Sequence, residues 1–352
     1  MLRQAAGHCQ HGLTRRAAGL IVSAPPAAGR GAKGLAMSAT ERFLNLLPAE
    51  LRAGVRRDVP LRELTTLRVG GPAAVVCPVH NPAQALRFQS AAAAADVPWV
   101  VLGGGSNVLA DDRGFAGAVL AVAGRDCEAR GDVVTVAAGL PLDELVTRTL
   151  AAGLTGLEFA SGIPGTVGGA LAGNAGCYGH EIGEFLREAV VLGADGALRR
   201  LDAGECGFRY RGTALRDNGA VVLEAVLQLR RGGLDAAAAE REAHLADRRA
   251  KHPVTEPSAG SWFRNLEAAE PGGRRQAAGA LLEQAGAKGM REGDAAVFAR
   301  HANIIVNLGH AGSGDVRRLA GRMREAVRDR FGVTLVEEVR YLDPGAARGR
   351  VI

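Results

Sequence analysis

Three separated segments carry side chains suited to chemistry. Phe208-Arg209-Tyr210-Arg211 sets two guanidinium groups among aromatics, and a guanidinium offers a planar fork that grips a carboxylate through two hydrogen bonds. Pro257-Ser258-Ala259-Gly260-Ser261-Trp262-Phe263-Arg264-Asn265 places Ser261 after a glycine and before an aromatic pair. A hydroxyl so placed can project into a cleft and give up its proton where a nearby cation stabilises the conjugate base. Glu337-Glu338-Val339-Arg340-Tyr341, read as extended chain, puts Glu338 and Arg340 on one face and Glu337 on the other. Each segment also has a plainer reading: an arginine at a strand end, a turn serine, a solvated strand face.

In two further places the backbone is the candidate binding element. Gly103-Gly104-Gly105-Ser106-Asn107 follows the apolar run Val97-Pro98-Trp99-Val100-Val101-Leu102, and residues 158–176, EFASGIPGTVGGALAGNAG, are dense in glycine. Glycine costs conformational entropy on folding, so such density suits a chain that approaches something closely or turns through positive φ. Clustered amides without side chains suit a phosphate or a flat heterocycle, and two such loops beside strand-like runs suit a large dinucleotide. Either loop alone reads equally as a tight, closely packed turn. The GxxxxGK(S/T) and GxGxxG spacings are absent, which argues against P-loop and Rossmann sites. GxSxG is absent too, which weakens a hydrolase nucleophile.

The elements that position these segments follow from periodicity. Ala73–Pro78 reads as a strand, Pro82–Ala95 as an Ala-rich helix after the N-cap Asn81, and Trp99–Leu102 and Gly117–Val122 as further strands, a small βαβ unit. A second unit starts near Asp132 with the strand Val133–Ala137 and the amphipathic helix Leu142–Ala152, which has Asp143 and Glu144 in its first turn. Strands at Ala189–Leu192 and Val221–Leu229 follow, the first turning through Ala194-Asp195-Gly196. The charged helix Leu234–Lys251 reads as a link to a third region. That region has helices at Gln276–Ala285 and Asp315–Phe331, a strand at Asn303–Asn307, a closing strand Thr334–Leu342 and a loose tail, Asp343–Ile352.

At 352 residues the chain is long enough for two or three domains. No apolar run reaches the roughly 18 residues of a membrane span. The net charge of +6 is concentrated at the start, where residues 1–40 hold Arg3, Arg15, Arg16, Arg30 and Lys33 and no acid. The body is close to neutral, and no basic stripe with interleaved aromatics points to nucleic acid. Five scattered cysteines without CxxC or Cys/His spacing fit a reducing compartment and suggest neither a disulfide framework nor a metal site. For residues 1–40 three readings stay open: a disordered extension or over-long start before Met37, a transit peptide, or a functional arm.

In order along the chain, TTLRVGG (65–71), VLGGGSNVL (101–109), SGIPGTVGGALAGNAG (161–176), FRYRGT (208–213), PSAGSWFRN (257–265), AAGALLEQAGAKGM (277–290), NIIVN (303–307) and LVEEVRYL (335–342) resemble the UDP-N-acetylenolpyruvoylglucosamine reductase family in its compact form. Any one motif is weakly specific, but their order and spacing cover nearly the whole body of the chain. The resemblance implies an α+β fold: a two-lobed FAD-binding domain of the vanillyl-alcohol-oxidase (PCMH) type over 60–231, with lobes at about 60–122 and 123–231, then an α/β substrate-binding domain over 232–342. It departs from the family at Leu266, where proline is usual, and over 267–275, which is longer and more charged than expected. The compact form lacks the tyrosine-bearing loop that folds over the substrate.

The resemblance further implies noncovalent FAD held by Gly103, Gly104, Gly105, Ser106, Asn107, Ser161, Gly162, Ile163, Pro164, Gly165, Gly168, Gly169, Asn174, Ala175 and Gly176, with Val222 near the flavin ring. NADPH would reduce the flavin, and an enolpyruvyl sugar nucleotide would then be reduced at the same site, with negative charge building toward C2 and the carboxylate. Arg211 and Glu338 would stabilise that charge, Glu338 being useful chiefly when protonated, and Ser261 would protonate C2. Lys251, Asn265, Lys288, Asn303 and Arg340 would line the substrate cleft. The implied setting is the cytoplasm, or a plastid if residues 1–40 are a transit peptide, with a small-molecule substrate and no nucleic acid, membrane or obligate protein partner. An FAD-dependent oxidase of a sugar or hydroxy acid is the alternative, though no flavin-linking histidine is evident.

Overall fold

The structure, a computed structural model, describes residues 37–267, 275–345 and 350–351. The extension expected over residues 1–40 falls outside these as far as residue 36, as do Cys9 and residues 268–274 of the departing stretch.

The first lobe grows from a helix, Ala39–Leu46, that starts in a capping box: the Ser38 hydroxyl accepts from the Glu41 amide at 3.2 Å, and the Glu41 carboxylate accepts from the Ser38 amide at 3.0 Å. Its buried Phe43 meets Phe88 edge-on at 5.3 Å, and Phe88 meets Trp99 at 5.6 Å. The sheet runs Arg56–Pro60, Pro72–Val79, Phe115–Val122, Trp99–Leu102, Arg350–Val351 in spatial order. Its first pairing is antiparallel and the others are parallel. Pro82–Ala95 makes the crossover, with Asn81 accepting from the Gln84 amide at 3.0 Å as its cap. One expectation fails here: the tail is not loose throughout, because Arg350–Val351 pair with Val100–Val101 and extend this sheet.

The second lobe is a five-stranded antiparallel sheet, in the order Leu198–Asp202, Leu186–Leu192, Val221–Gln228, Val133–Ala137, Cys127–Arg130. One face packs under the helices Leu142–Ala151 and Val167–Gly173 through Val134, Val136, Leu145, Leu171, Val222 and Ala225. The other contributes Leu192, Val221 and Leu223 to the first lobe's core, so the lobes share a sheet face.

Leu234–Lys251, expected as a link, is a clamp on the second lobe: Arg241 pairs with Asp143, His244 bonds the Glu158 carbonyl and Arg248 bonds the Gly162 carbonyl. Beyond it, Ser258–Ser261, Ile304–Asn307, Ala295–Val297 and Arg291–Glu292 form an antiparallel sheet. Ala278–Gln284 and Ser313–Phe331 pack against it around Phe263, Leu282, Ile305, Val316, Leu319 and Met323.

The closing strand is shorter than the expected Thr334–Leu342. Glu337 makes a single bridge to Phe263, after which the chain leaves this domain. Arg340–Leu342 then pairs in parallel with Val108–Ala110 of the first lobe. That crossing brings the third region onto the first glycine loop. No described helix is long and apolar enough to cross a membrane.

Candidate active site

The two glycine loops meet. A Cβ on Gly104 would lie 2.9 Å from the Gly165 Cα, and one on Gly103 would lie 2.7 Å from the Thr166 hydroxyl. The Ser106 hydroxyl donates to the Pro164 carbonyl at 3.0 Å. Gly105 turns at φ +61°, and any Cβ there would overlap the Leu64 carbonyl oxygen, so only glycine fits. Two of the loop's carbonyls are occupied: Gly105 accepts from the Thr66 amide at 3.1 Å and Asn107 from the Arg340 amide at 3.0 Å. Among the described residues, the amides of Gly103, Gly104, Gly105, Ser106, Asn107, Gly165 and Thr166 have no protein acceptor. A cradle of free donors whose approach excludes side chains fits a pyrophosphate.

Gly162 is held from both sides. Its amide donates to the Asp143 carboxylate at 2.8 Å and its carbonyl accepts from the Arg248 Nε at 2.9 Å. Arg241 grips Asp143 through two bonds, of 2.7 and 3.1 Å, and reaches the Ser161 hydroxyl at 3.2 Å. Burial pushes the Asp143 carboxyl up, but the Arg241 and Gly162 hydrogen bonds and the charges of Arg241 and Arg248 hold it below its ordinary value. In the sequence Asp143 is only a first-turn helix acid, and Arg241 and Arg248 only two charges on a charged helix. Nothing local marks them as supports of a loop.

Of the other residues implied for the cofactor, Gly168 packs so closely that a Cβ would lie 2.8 Å from the Ala138 Cβ. Gly169 donates to its own helix cap, Thr166, at 3.4 Å, and Ile163 and Ala175 are half-buried against the second-lobe core. Asn174, in a left-handed conformation, spends its amide on Glu181, Gly183 and the Arg209 carbonyl, thereby tying the glycine segment to the arginine segment. The Gly176 carbonyl accepts from Arg211 at 3.0 Å. Val222 is 4% exposed within the second-lobe core.

The three candidate catalytic segments converge on the first loop. The Glu338 amide donates to the Trp262 carbonyl at 2.8 Å, one residue past Ser261, and the Glu338 carbonyl accepts from the Asn107 Nδ2 at 3.2 Å. The Arg211 Nε lies 3.3 Å from the Glu338 carboxylate, an ion pair without the alignment of a hydrogen bond. Arg211 sits at φ +51°, which costs a non-glycine residue about 1–2 kcal/mol. Burial raises the Glu338 carboxyl above its ordinary 4.5, and the nearby charges of Arg211, Arg264 and Arg216 oppose that shift without overturning it. Glu337 faces elsewhere, 3.4 Å from Arg324, as the alternation required. Ser261 is half-buried, and its hydroxyl makes no hydrogen bond among the described residues. Thr66 ties its strand to the loop by donating to the Ser258 carbonyl at 2.6 Å.

The residues implied for substrate divide into two kinds. Lys251 and Lys288 are exposed and ion-paired to Asp247 at 2.5 Å and Glu283 at 2.6 Å, while Arg340 is half-buried on the closing strand. Asn303, in contrast, is 2% exposed, and both ends of its amide are committed to the Phe263 main chain at 2.9 and 2.8 Å. It therefore positions the segment after Ser261 rather than presenting a group to a cleft. Asn265 accepts from the Ala278 amide at 3.1 Å and caps a helix. A 660 Å³ cleft lies behind the closing strand, lined by Glu337, Arg317, Arg318, Arg324, Trp262 and Tyr341, on the side away from Glu338.

Comparison with known proteins bears directly on this site. Residues 72–202 match the FAD binding domain family, and residues 252–342 match the C-terminal domain of UDP-N-acetylenolpyruvoylglucosamine reductase. Over 288 residues the chain is 42% identical to UDP-N-acetylenolpyruvoylglucosamine reductase 2 of Symbiobacterium thermophilum, covering 81% of this chain and 91% of that one. The chain belongs to the UDP-N-acetylenolpyruvoylglucosamine reductase family. A reductase of Halalkalibacterium halodurans is 35% identical over 305 residues, 86% of this chain and 99% of its own length. The crystal structure of the Thermus caldophilus reductase superposes with a TM-score of 0.69 at 35% identity, over 82% of this chain and 99% of that one. The two-lobed FAD domain and following α/β domain are the expected fold, and FAD is the cofactor of this reductase-family chain.

Proposed function

We propose that this chain reduces the enolpyruvyl group of UDP-N-acetylglucosamine enolpyruvate to give UDP-N-acetylmuramate, a precursor of peptidoglycan, with NADPH as reductant. The observation that carries the reading is the hydrogen-bond chain from Asn107 through Glu338 to Trp262, which sets a carboxyl, the Arg211 guanidinium and the Ser261 strand against the cofactor loop.

The free amides of Gly103–Asn107 and of Gly165 and Thr166 would hold the FAD pyrophosphate. Bound there, FAD would supply the redox chemistry, the relay of a hydride from NADPH to the substrate. Arg211 binds the substrate carboxylate, where its fork opposes the charge that develops as C3 is reduced. Burial raises the Glu338 carboxyl above its ordinary 4.5; in its protonated form it donates a hydrogen bond to the same charge, and ionised it would repel it. Ser261 gives its proton to C2, a transfer that a nearby cation would favour by stabilising the alkoxide left behind. Lys288 and Arg340 are assigned to the diphosphate or carboxylate, Lys288 by exchanging its exposed ion pair for substrate, and Lys251 to the lining of the cleft. The described cysteines, Cys77, Cys127, Cys177 and Cys206, are unbonded, which supports a reducing setting such as the cytoplasm.

Purified protein should be yellow and release FAD on acid treatment. The colour should bleach with NADPH, return slowly in air and return quickly with the enolpyruvyl sugar nucleotide. Fast recovery in air alone would instead assign an oxidase, and no recovery with the sugar nucleotide would defeat the proposed reaction.

A further inference from the structure

Arg211 owes its direction to its backbone. At φ +51° it occupies a region that non-glycine residues rarely adopt, so something must hold it there. The reciprocal bonds between Arg209 and Gly212, both 3.0 Å, form the turn around it. The Arg216 Nη2 then donates to the Arg211 carbonyl at 2.7 Å. Arg216 lies on the short helix Ala214–Asp217, whose cap, Thr213, accepts from the Arg216 amide at 3.2 Å and donates to the Ala172 carbonyl at 2.8 Å. The support for Arg211 therefore runs back to the helix that ends the second glycine segment.

The location of Arg216 is electrostatically unfavourable on its own. Its Nε is buried without a hydrogen-bond partner, and Arg340, Arg264 and Arg209 repel its charge, with Asp217 opposing them. The buried Nε atoms of Arg211 and Arg264 likewise lack a hydrogen-bond partner. Gathering cations around one carboxyl is useful where an anion will develop, and a residue kept there at electrostatic cost is serving its neighbours. We propose that Arg216 is the positioning residue of this site, holding Arg211 in its left-handed conformation so that its guanidinium faces Glu338 and the substrate anion.

The inference rests on the proposed reaction for its kinetic arm and on geometry alone for its structural arm. Arg216→Gln removes the charge and shortens the reach, whereas Arg216→Lys keeps the charge. Arg216→Gln is expected to retain FAD, to be reduced by NADPH within about threefold of the wild-type rate, and to be reoxidised by the enolpyruvyl sugar nucleotide about 10²-fold more slowly. Glu338 is faced by Arg211, Arg216 and Arg264, with Arg340 on its own strand. Losing one cation favours its neutral form, so the alkaline limb of reoxidation should move to higher pH in Arg216→Gln and return toward the wild-type position in Arg216→Lys. Equal slowing of both half-reactions, or an unmoved limb in Arg216→Gln, overturns the proposal. Should the wild type fail to be reoxidised by the sugar nucleotide, the reaction falls, and a crystal structure of Arg216→Gln decides the role of Arg216. Residue 211 leaving positive φ sustains that role, and an unchanged φ overturns it.

Discussion

Gly104→Ala tests the cofactor cradle with the least disturbance elsewhere. Gly104 is exposed and outside the left-handed region, so alanine brings no backbone strain of its own. A gain of about 0.4–1 kcal/mol from a stiffer unfolded chain is the ordinary expectation for such a replacement. The methyl group would stand 2.9 Å from the Gly165 Cα and 3.3 Å from its carbonyl carbon, closer than ordinary contact, and both neighbours are main chain with no rotamer to yield. Restoring contact parts the loops by roughly half an ångström, which stretches charge-assisted hydrogen bonds that prefer about 2.8 Å. Each such bond contributes roughly 1.5–3 kcal/mol, so weakening two by about half costs on the order of 2 kcal/mol. That corresponds to roughly a 30-fold weaker Kd for FAD. The assay is titration of flavin-free protein with FAD, followed by quenching of flavin fluorescence, beside thermal unfolding of the same flavin-free protein. A Kd within threefold of wild type would refute the cradle, as would a flavin-free protein that is itself strongly destabilised.

Other expectations follow from the same geometry. Ser261→Ala should leave reduction by NADPH intact and slow reoxidation by substrate about 10²- to 10⁴-fold in rapid-mixing experiments, as for loss of a general acid; equal slowing of both steps would remove its role. Glu338→Gln should unfold at higher temperature than wild type at pH 8, because burial raises the folded-state pKa and the stability tied to the neutral carboxyl is lost as pH rises through it. The gap should close as pH falls toward 4.5, and a less stable Gln variant at pH 8 would mean that the surrounding arginines outweigh burial. Burial, with Arg248 and His301 nearby, lowers His252 to about 4. Its contribution is therefore present above pH 6.5 and lost as pH falls toward 4, so His252→Asn should flatten the stability profile in that window by up to one proton per molecule. Asp143→Asn should raise flavin loss on dilution by loosening Gly162, and an unchanged release rate would show that the Arg241 clamp is idle.

Much of this fold was legible because its signals are local. Pro82–Ala95 announces itself with a capping asparagine and Pro at N1, and Trp99–Leu102 with an apolar run stopped by glycine; both occupy the expected residues. The closing strand was misjudged because its alternation continues past the point where pairing partners run out. Thr334–Leu342 keeps a strand-like sequence, yet only Glu337 bridges Phe263 before the chain crosses to another sheet. Arg211, Glu338 and Ser261 stand out by residue type, but their roles came from motif resemblance, since each alone looks like an ordinary surface residue. What stayed illegible was support at a distance. Asp143 acts on Gly162 and Arg216 on the Arg211 carbonyl, and Asn303, which looked like a ligand, serves the Phe263 backbone. Such roles exist only after folding brings the partners together.

The pairing of Arg340–Leu342 with Val108–Ala110 also orders events during synthesis. Asn107 takes both of its described contacts with the last strand from residues more than two hundred positions downstream, the Glu338 carbonyl and the Arg340 amide. A ribosome that has finished both lobes still holds a nascent chain whose first glycine turn lacks its backing. Domains commonly fold as they emerge, but here the first glycine turn gains this backing only once residues 338–340 have left the exit tunnel. Chains truncated before Glu338 would lose its carboxyl and leave Asn107 without the Glu338 carbonyl it donates to and the Arg340 amide it accepts from.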